Sequence, residues 1–143
     1  MRRQLRQMVR QRAGAIVNVA SVGGLKASPT RPAYGASKAG IIHLTATAAN
    51  ECGQAGVRVN ALCPGWTDTP ALAQSSRSGG IGAERAAMVD ALVPLKRYAT
   101  AVEQAEAIVW LCSDAASYIT GQALAVDGGT SVQLMAAPGP QID

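Results

Sequence analysis

The chain has 143 residues, of which 48% are hydrophobic and 15% charged, with a formal net charge of +4. That length suits one domain with a substantial core, and the composition excludes a disordered chain. No run of about eighteen apolar residues occurs, so no membrane-spanning helix is expected.

The charge is unevenly placed: no Asp or Glu precedes Glu51, whereas eight Lys or Arg lie in the first fifty residues. The opening MRRQLRQMVRQRAG sets Arg2, Arg3, Arg6, Arg10 and Arg12 around Leu5, Met8 and Val9 at helical spacing. A nucleic-acid or membrane patch, a transit peptide and the solvated face of an ordinary helix compete for this segment. No aromatic residue is interleaved to stack on bases, no small-residue cleavage site follows, and the segment runs straight into a strand-like stretch. The solvated helix is therefore the expectation.

In chain order, residues 2–12 read as a helix stopped by Gly14. Ala15–Ala20 is a short β-branched run suited to a buried parallel strand. A Gly/Ser/Pro-rich loop from Ser21 to Arg31 follows, then a long helix from Pro32 to about Gln54, closed by Gly53 and Gly56. Val57–Leu62 gives a second buried strand, and Cys63-Pro64-Gly65 signals a turn. Residues 66–82 read as a mobile loop with a short helix, and Ala83–Leu92 as helical. Thr100 and Glu103 match a capping box. The helix it opens carries Val102, Ala105, Ile108, Val109 and Cys112 on one apolar face and ends near Asp114. Ala123–Val126 is a third strand, the turn Asp127-Gly128-Gly129 follows, and residues 132–143 form a loose tail. Alternating helices and strands indicate an α/β fold, a partial Rossmann-type doubly wound parallel sheet of about three strands with flanking helices.

The three cysteines, Cys52, Cys63 and Cys112, are odd in number and lack a C-x-x-C pair. That argues against a disulfide framework or zinc site and suits a reducing compartment; each is expected to be a small buried residue. The single histidine, His43, is expected to be structural, Asp68 and Glu51 have no paired carboxylate, and Gly80-Ile81-Gly82 is too incomplete for a dinucleotide fingerprint. No metal site is expected.

The chemistry-bearing pattern is Tyr34 and Lys38, in Y-G-A-S-K. Four residues along a helix are about 40° past a full turn and about 6 Å of rise, so both side chains share a face. An ammonium held beside a phenol favours the phenolate and produces a general acid/base matched to neutral pH. The pair alone is a weak signal. Ser21, at the exit of the first strand, strengthens it, because ligands of open α/β sheets bind at the carboxyl ends of strands.

GAIVNVASVGG, AYGASKAG, VRVNALCPGWTDT and SDAASYITGQALAVDGG, taken in order, resemble the second half of the short-chain dehydrogenase/reductase family over roughly residues 1–131, read as the C-terminal part of one Rossmann-type domain. The resemblance implies an NAD(P)-dependent oxidoreductase moving a hydride between nicotinamide and an alcohol or ketone. Ser21 would hydrogen-bond the substrate carbonyl, Tyr34 would carry its proton, and Lys38 would hold the cofactor ribose and favour the phenolate. Pro64 and Gly65 match the turn that lets NAD or NADP approach. The Thr67 backbone and the Thr69 hydroxyl match positions that orient the carboxamide. Trp66, Val22, Gly23, the stretch Ala71 to Gly82 and the loop carrying Lys26 and Arg31 would border the substrate; for Trp66 and the loops, packing or exposure is an equal alternative. The implied partners are a small alcohol or carbonyl substrate and, in intact relatives, further copies paired through the Tyr34-bearing helix. No nucleic acid or membrane partner is expected, and the location is cytoplasmic.

The family's T-G-x-x-x-G-x-G turn, its N-A-G segment, the residue that separates NAD from NADP and the Asn of the proton relay have no counterpart here. The resemblance thus implies the catalytic half of a longer fold, with an unpaired apolar edge at Ala15–Ala20, nicotinamide-side contacts only, and little or no activity of this chain alone. A non-enzymatic fragment that associates with relatives through its long helix is the alternative.

Overall fold

The computed structural model describes residues 1–27, 29, 31–69 and 81–132, with the side chains of 81–83 excepted. The expected loop beyond Thr69, including Ala71 to Gly80, and the tail beyond Val132 lie outside the described residues.

The β-branched runs pair as expected. Strand β1 (Gly14–Val19), β2 (Val57–Pro64) and β3 (Ala123–Val126) form a parallel sheet in the order β1-β2-β3. In β2, Val57, Val59, Ala61, Leu62 and Cys63 are all at most 1% exposed, so the central strand is covered on both faces. Burying each of its larger side chains contributes about 1.5–3 kcal/mol. β1 is an edge strand, half-buried, with Val19 exposed.

Cys63 and Pro64, expected in a turn, instead continue β2 against β3. The Ala20 N–H donates to the Leu62 carbonyl at 2.7 Å. Alternation along a parallel ladder then puts Pro64 where the next donor toward β1 belongs, and proline has none. Pairing with β1 stops at Leu62, while the Gly65 N–H carries pairing with β3 one step further, to the Val126 carbonyl at 3.1 Å. The end of β1 is thereby released from the sheet at Ser21.

Helix α1 (Arg2–Gln11) lays Met1, Leu5 and Met8 against the cluster of Ala48, Ala49, Cys52, Val57 and Val59. Its arginines are exposed, which is the solvated helix read from the sequence. Helix α2 (Pro32–Cys52) buries Thr45, Ala48, Ala49 and Cys52 and ends slightly earlier than expected, because residues 53–55 tighten into a 3-10 turn before Gly56 at φ 72°. Helix α3 (Ile81–Leu92) starts two residues before the expected Ala83.

Helix α4 (Ala101–Cys112) opens with the expected capping box: the Glu103 N–H donates to the Thr100 hydroxyl, and the Thr100 N–H to the Glu103 carboxylate. Its docked face corrects the sequence reading. Gln104 and Leu111 are buried, whereas Val102 and Val109 are 64% and 67% exposed and Cys112 is also exposed. Polar anchors set the rotation. Gln104 Nε2 donates to the Val126 carbonyl at 3.0 Å, and the Arg58 guanidinium donates to the Leu111 and Ser113 carbonyls at 2.6 and 3.0 Å. No described helix is long and apolar enough to cross a membrane.

Candidate functional site

Where β1 leaves the sheet, Ser21 caps a 3-10 turn (Val22–Gly24), its Oγ accepting the Gly23 N–H at 3.1 Å. A hydroxyl that accepts this way keeps its proton to donate. Val22 and Gly23 thus belong to the turn, which lies directly on α2: a Cβ on Gly24 would stand 2.7 Å from the Lys38 carbonyl carbon and 2.8 Å from the Ala39 nitrogen. Only glycine permits that approach, and the approach seats Ser21's turn on the helix that carries Tyr34 and Lys38.

The Lys38 Nζ lies 5.7 Å from the Tyr34 ring centroid and donates to the Val19 carbonyl at 3.1 Å. An ammonium has three donors, so two remain for a ligand. Tyr34 is 40% exposed, in the first turn of α2. The structure therefore brings Tyr34, Lys38 and the Ser21 turn to one place at the carboxyl end of β1.

Below them lies Cys63, fully buried among Ala20, Ala61, Val22, Ile41 and Ile42. Burial pushes its thiol up. The Ser21 backbone N–H, which donates to the sulfur, pulls the other way; the Asp127 charge adds to the rise and the Lys38 charge opposes it.

Pro64 and Gly65 lead out of β2, and a Cβ on Gly65 would stand 2.6 Å from the Asp127 Cβ and 2.7 Å from its Cα. The required glycine here is explained by β3. The next residues are strapped to a neighbouring segment: the Ala99 N–H donates to the Trp66 carbonyl at 2.9 Å, and the Asp68 N–H to the Ala99 carbonyl at 2.8 Å. Because this bridge uses Trp66 and Asp68, Thr67's own N–H faces away from Ala99. The Thr67 hydroxyl donates to the Gly65 carbonyl at 3.2 Å, and Thr69 is half-buried. Trp66 lies edge-on to Tyr98 with centroids 6.5 Å apart, on the wall of a 90 Å³ cavity shared with Asp127 and Gly128.

Arg31, a border-loop residue in the sequence, is also a neighbour of Tyr34. The Arg31 guanidinium carbon is 5.2 Å from the Tyr34 ring centroid. The signal was Pro32: a proline at the first helical position fixes the helix start, so the preceding residue's long side chain can return over the first turn.

Lys38 and Ser21 keep donors beyond the bonds described, and the Thr67 N–H faces away from Ala99. Residues 1–131 match the family model described as enoyl-(acyl carrier protein) reductase. The chain is 45% identical over 125 residues to the cis-4-hydroxycyclohexanecarboxylate dehydrogenase of Sinomonas cyclohexanicum, covering 87% of this chain and 48% of that protein. It is 41% identical to the 3-oxoacyl-acyl-carrier-protein reductase of Thermotoga maritima, covering 85% of this chain and 47% of that protein. Among solved structures, ElxO with NADP bound superposes with a TM-score of 0.84 at 32% identity, over 93% of this chain and 52% of that one. The 3-oxoacyl-acyl-carrier-protein reductase of Brucella melitensis superposes with a TM-score of 0.79 at 38% identity, over 89% of this chain and 46% of that one.

Fold and relatives together define a Rossmann-type, NAD(P)-dependent oxidoreductase lineage. The chain belongs to the short-chain dehydrogenase/reductase family, and it spans about half the length of the curated relatives it matches.

Proposed function

We propose that this chain carries the proton-transfer and nicotinamide-side part of an NAD(P)-dependent alcohol/carbonyl oxidoreductase. The observation that carries this reading is the seating of the Ser21 turn on α2 beside Tyr34 and Lys38. Ser21 donates a hydrogen bond from its hydroxyl to the substrate oxygen and holds it in place. Tyr34 gives that oxygen a proton in reduction, or takes one in oxidation. The Lys38 ammonium stabilises the negative charge left on the phenol oxygen and offers its spare donors to the ribose hydroxyls. The backbone of Thr67 and the hydroxyl of Thr69 orient the carboxamide, and Pro64 and Gly65 shape the approach. When bound, the nicotinamide supplies or accepts the hydride; the chain's part is alignment and charge stabilisation.

Turnover by residues 1–143 on their own is expected to be low, because β1 is an edge of the sheet formed by the described residues. NAD(P)H-dependent reduction of a ketone panel by the purified chain tests this; robust turnover overturns it. A fluorescence titration of NADPH tests the residue roles separately. Weak binding that Lys38→Ala abolishes is expected, and binding indifferent to Lys38 defeats the assignment. Any residual turnover is lost in Tyr34→Phe.

A second reading has one observation in its favour. Ala36, Ala39 and Gly40 are exposed on the outer side of α2, and nothing lies within 4 Å of a Cβ at Gly40. A second helix could approach closely there, pairing this chain with a copy or a relative. Co-purification with a full-length relative, lost on a bulky substitution at Gly40, tests it; association unaffected by that substitution rejects it.

A further inference from the structure

Arg97 and Glu103 reach around Tyr98, Ala99 and Thr100 and close on each other. The Arg97 guanidinium donates to both oxygens of the Glu103 carboxylate, at 2.9 and 2.6 Å, and to the Tyr98 carbonyl at 3.1 Å. The same carboxylate accepts the Thr100 N–H at 2.7 Å. A two-point fork of this kind fixes orientation as well as distance, which a lone ammonium cannot do.

The enclosed residue is Ala99, and the peptide units on either side of it are shared between the ion pair and the Trp66–Asp68 segment. In the unit before Ala99, the Tyr98 carbonyl accepts from Arg97 while the Ala99 N–H donates to the Trp66 carbonyl at 2.9 Å. In the unit after it, the Thr100 N–H donates to Glu103 while the Ala99 carbonyl accepts the Asp68 N–H at 2.8 Å. A peptide unit is planar, so orienting one end orients the other. Close packing does not fix these planes instead, because Ala99 lines the 90 Å³ cavity together with Trp66, Val126 and Asp127. The edge-on contact of Trp66 with Tyr98 joins side chains and leaves the planes free to turn.

Resting on the reading that Thr67 orients the nicotinamide carboxamide, we propose that Arg97 is a positioning residue for that contact, acting through Glu103 and Ala99. The ion pair sets both peptide planes at Ala99, and the planes set Trp66 and Asp68. Thr67, between them, then holds its N–H in one outward direction. The paired side chains are 54% and 40% exposed, so their effect is local and adds little to overall stability.

The test reads amide hydrogen exchange in the purified chain by NMR. The Ala99 and Asp68 amides are compared with that of Ala61 in β2, which donates to the Gln122 carbonyl. In Arg97→Gln the two amides are expected to exchange about five-fold faster relative to Ala61. Arg97→Lys should fall in between, because it keeps the charge without the fork. Should Arg97→Gln fail to fold, salt at about 1 M must raise the same ratio in the parent, and a ratio unmoved by salt overturns the proposal. Thr100→Ala separates this role from helix capping. It removes the capping hydroxyl and keeps the fork, so it should lower the urea midpoint and leave the ratio unchanged. An unchanged ratio in Arg97→Gln, or an equal rise in Thr100→Ala, overturns the proposal.

Reduced nicotinamide mononucleotide, titrated into the same samples, distinguishes this proposal from the reading beneath it. It is expected to shift the Thr67 amide of the parent and to bind Arg97→Gln about three-fold more weakly. A parent Thr67 amide that does not move sinks the Thr67 reading, and the positioning role with it. A Thr67 amide that moves while Arg97→Gln binds equally well sinks the positioning role alone.

Discussion

The Lys38 ammonium donates to the carbonyl of Val19 on the side of β1 that faces away from β2. That outward direction follows from the ladder: Ala20 turns its N–H toward Leu62, so its neighbour Val19 turns outward. One lysine therefore links the open sheet edge to the Tyr34 ring.

Removing that link should weaken the fold modestly. Lys38→Met is expected to cost about 0.5–1 kcal/mol, because the bond is exposed and the lysine stem is retained. Tyr34→Phe, deleting one hydroxyl from a partly exposed ring, should change stability by less than about 0.5 kcal/mol. Urea midpoints of the two variants provide the check, and a Lys38→Met protein as stable as the parent would remove the anchoring role.

Two glycines should respond with opposite signs. Gly65→Ala drives a methyl into Asp127 and is expected to destabilise by about 2–3 kcal/mol. Gly40→Ala adds a methyl where nothing lies within 4 Å, inside α2, and should stabilise by about 0.5–1 kcal/mol. Thermal unfolding of both variants distinguishes a close approach at Gly65 from a merely permissive turn.

Acid should act through the start of α4. Hydrogen bonds from the Arg97 side chain first, and then from the Thr100 backbone, lower the Glu103 carboxyl from the ordinary 4.5 to about 2. The folded chain thus binds this proton less readily than the unfolded chain. Its stabilising contribution is complete above pH 4.5 and is lost as pH falls from there through about 2. The stability difference between the parent and Glu103→Gln should shrink across that window, as followed by urea denaturation at successive pH values. A difference that stays constant would contradict the ion-paired capping box.

Thiol labelling should discriminate the cysteines. Cys112 is exposed, while Cys52 and Cys63 are buried. A thiol reagent should modify Cys112 rapidly in the native chain and the other two only on unfolding, with Cys63 further slowed because burial disfavours its thiolate. Mass spectrometry of the labelled peptides locates the modification, and native labelling of Cys63 would contradict the packing below Ser21.

Much of this architecture is local and was legible without coordinates. The bounds of β3, the capping box of Thr100 and Glu103, and the shared face of Tyr34 and Lys38 follow from spacing alone. Each depends on residues only a few positions apart, where helix and strand geometry leave little choice. The parallel α/β class followed similarly, from β-branched runs alternating with helical stretches.

Tertiary structure decided what depends on distant partners. The count of apolar residues on α4 favoured the face of Val102 and Val109, yet Arg58 and Val126, far away in sequence, turned Gln104 and Leu111 inward and left Cys112 in solvent. Pro64 reads as a turn residue until β3 pairs with it, and Arg31 reads as loop charge until the start of α2 folds it over Tyr34. Local periodicity fixes which side chains share a face. Only long-range hydrogen bonding and packing select which face is buried and which side chains meet at the end of β1.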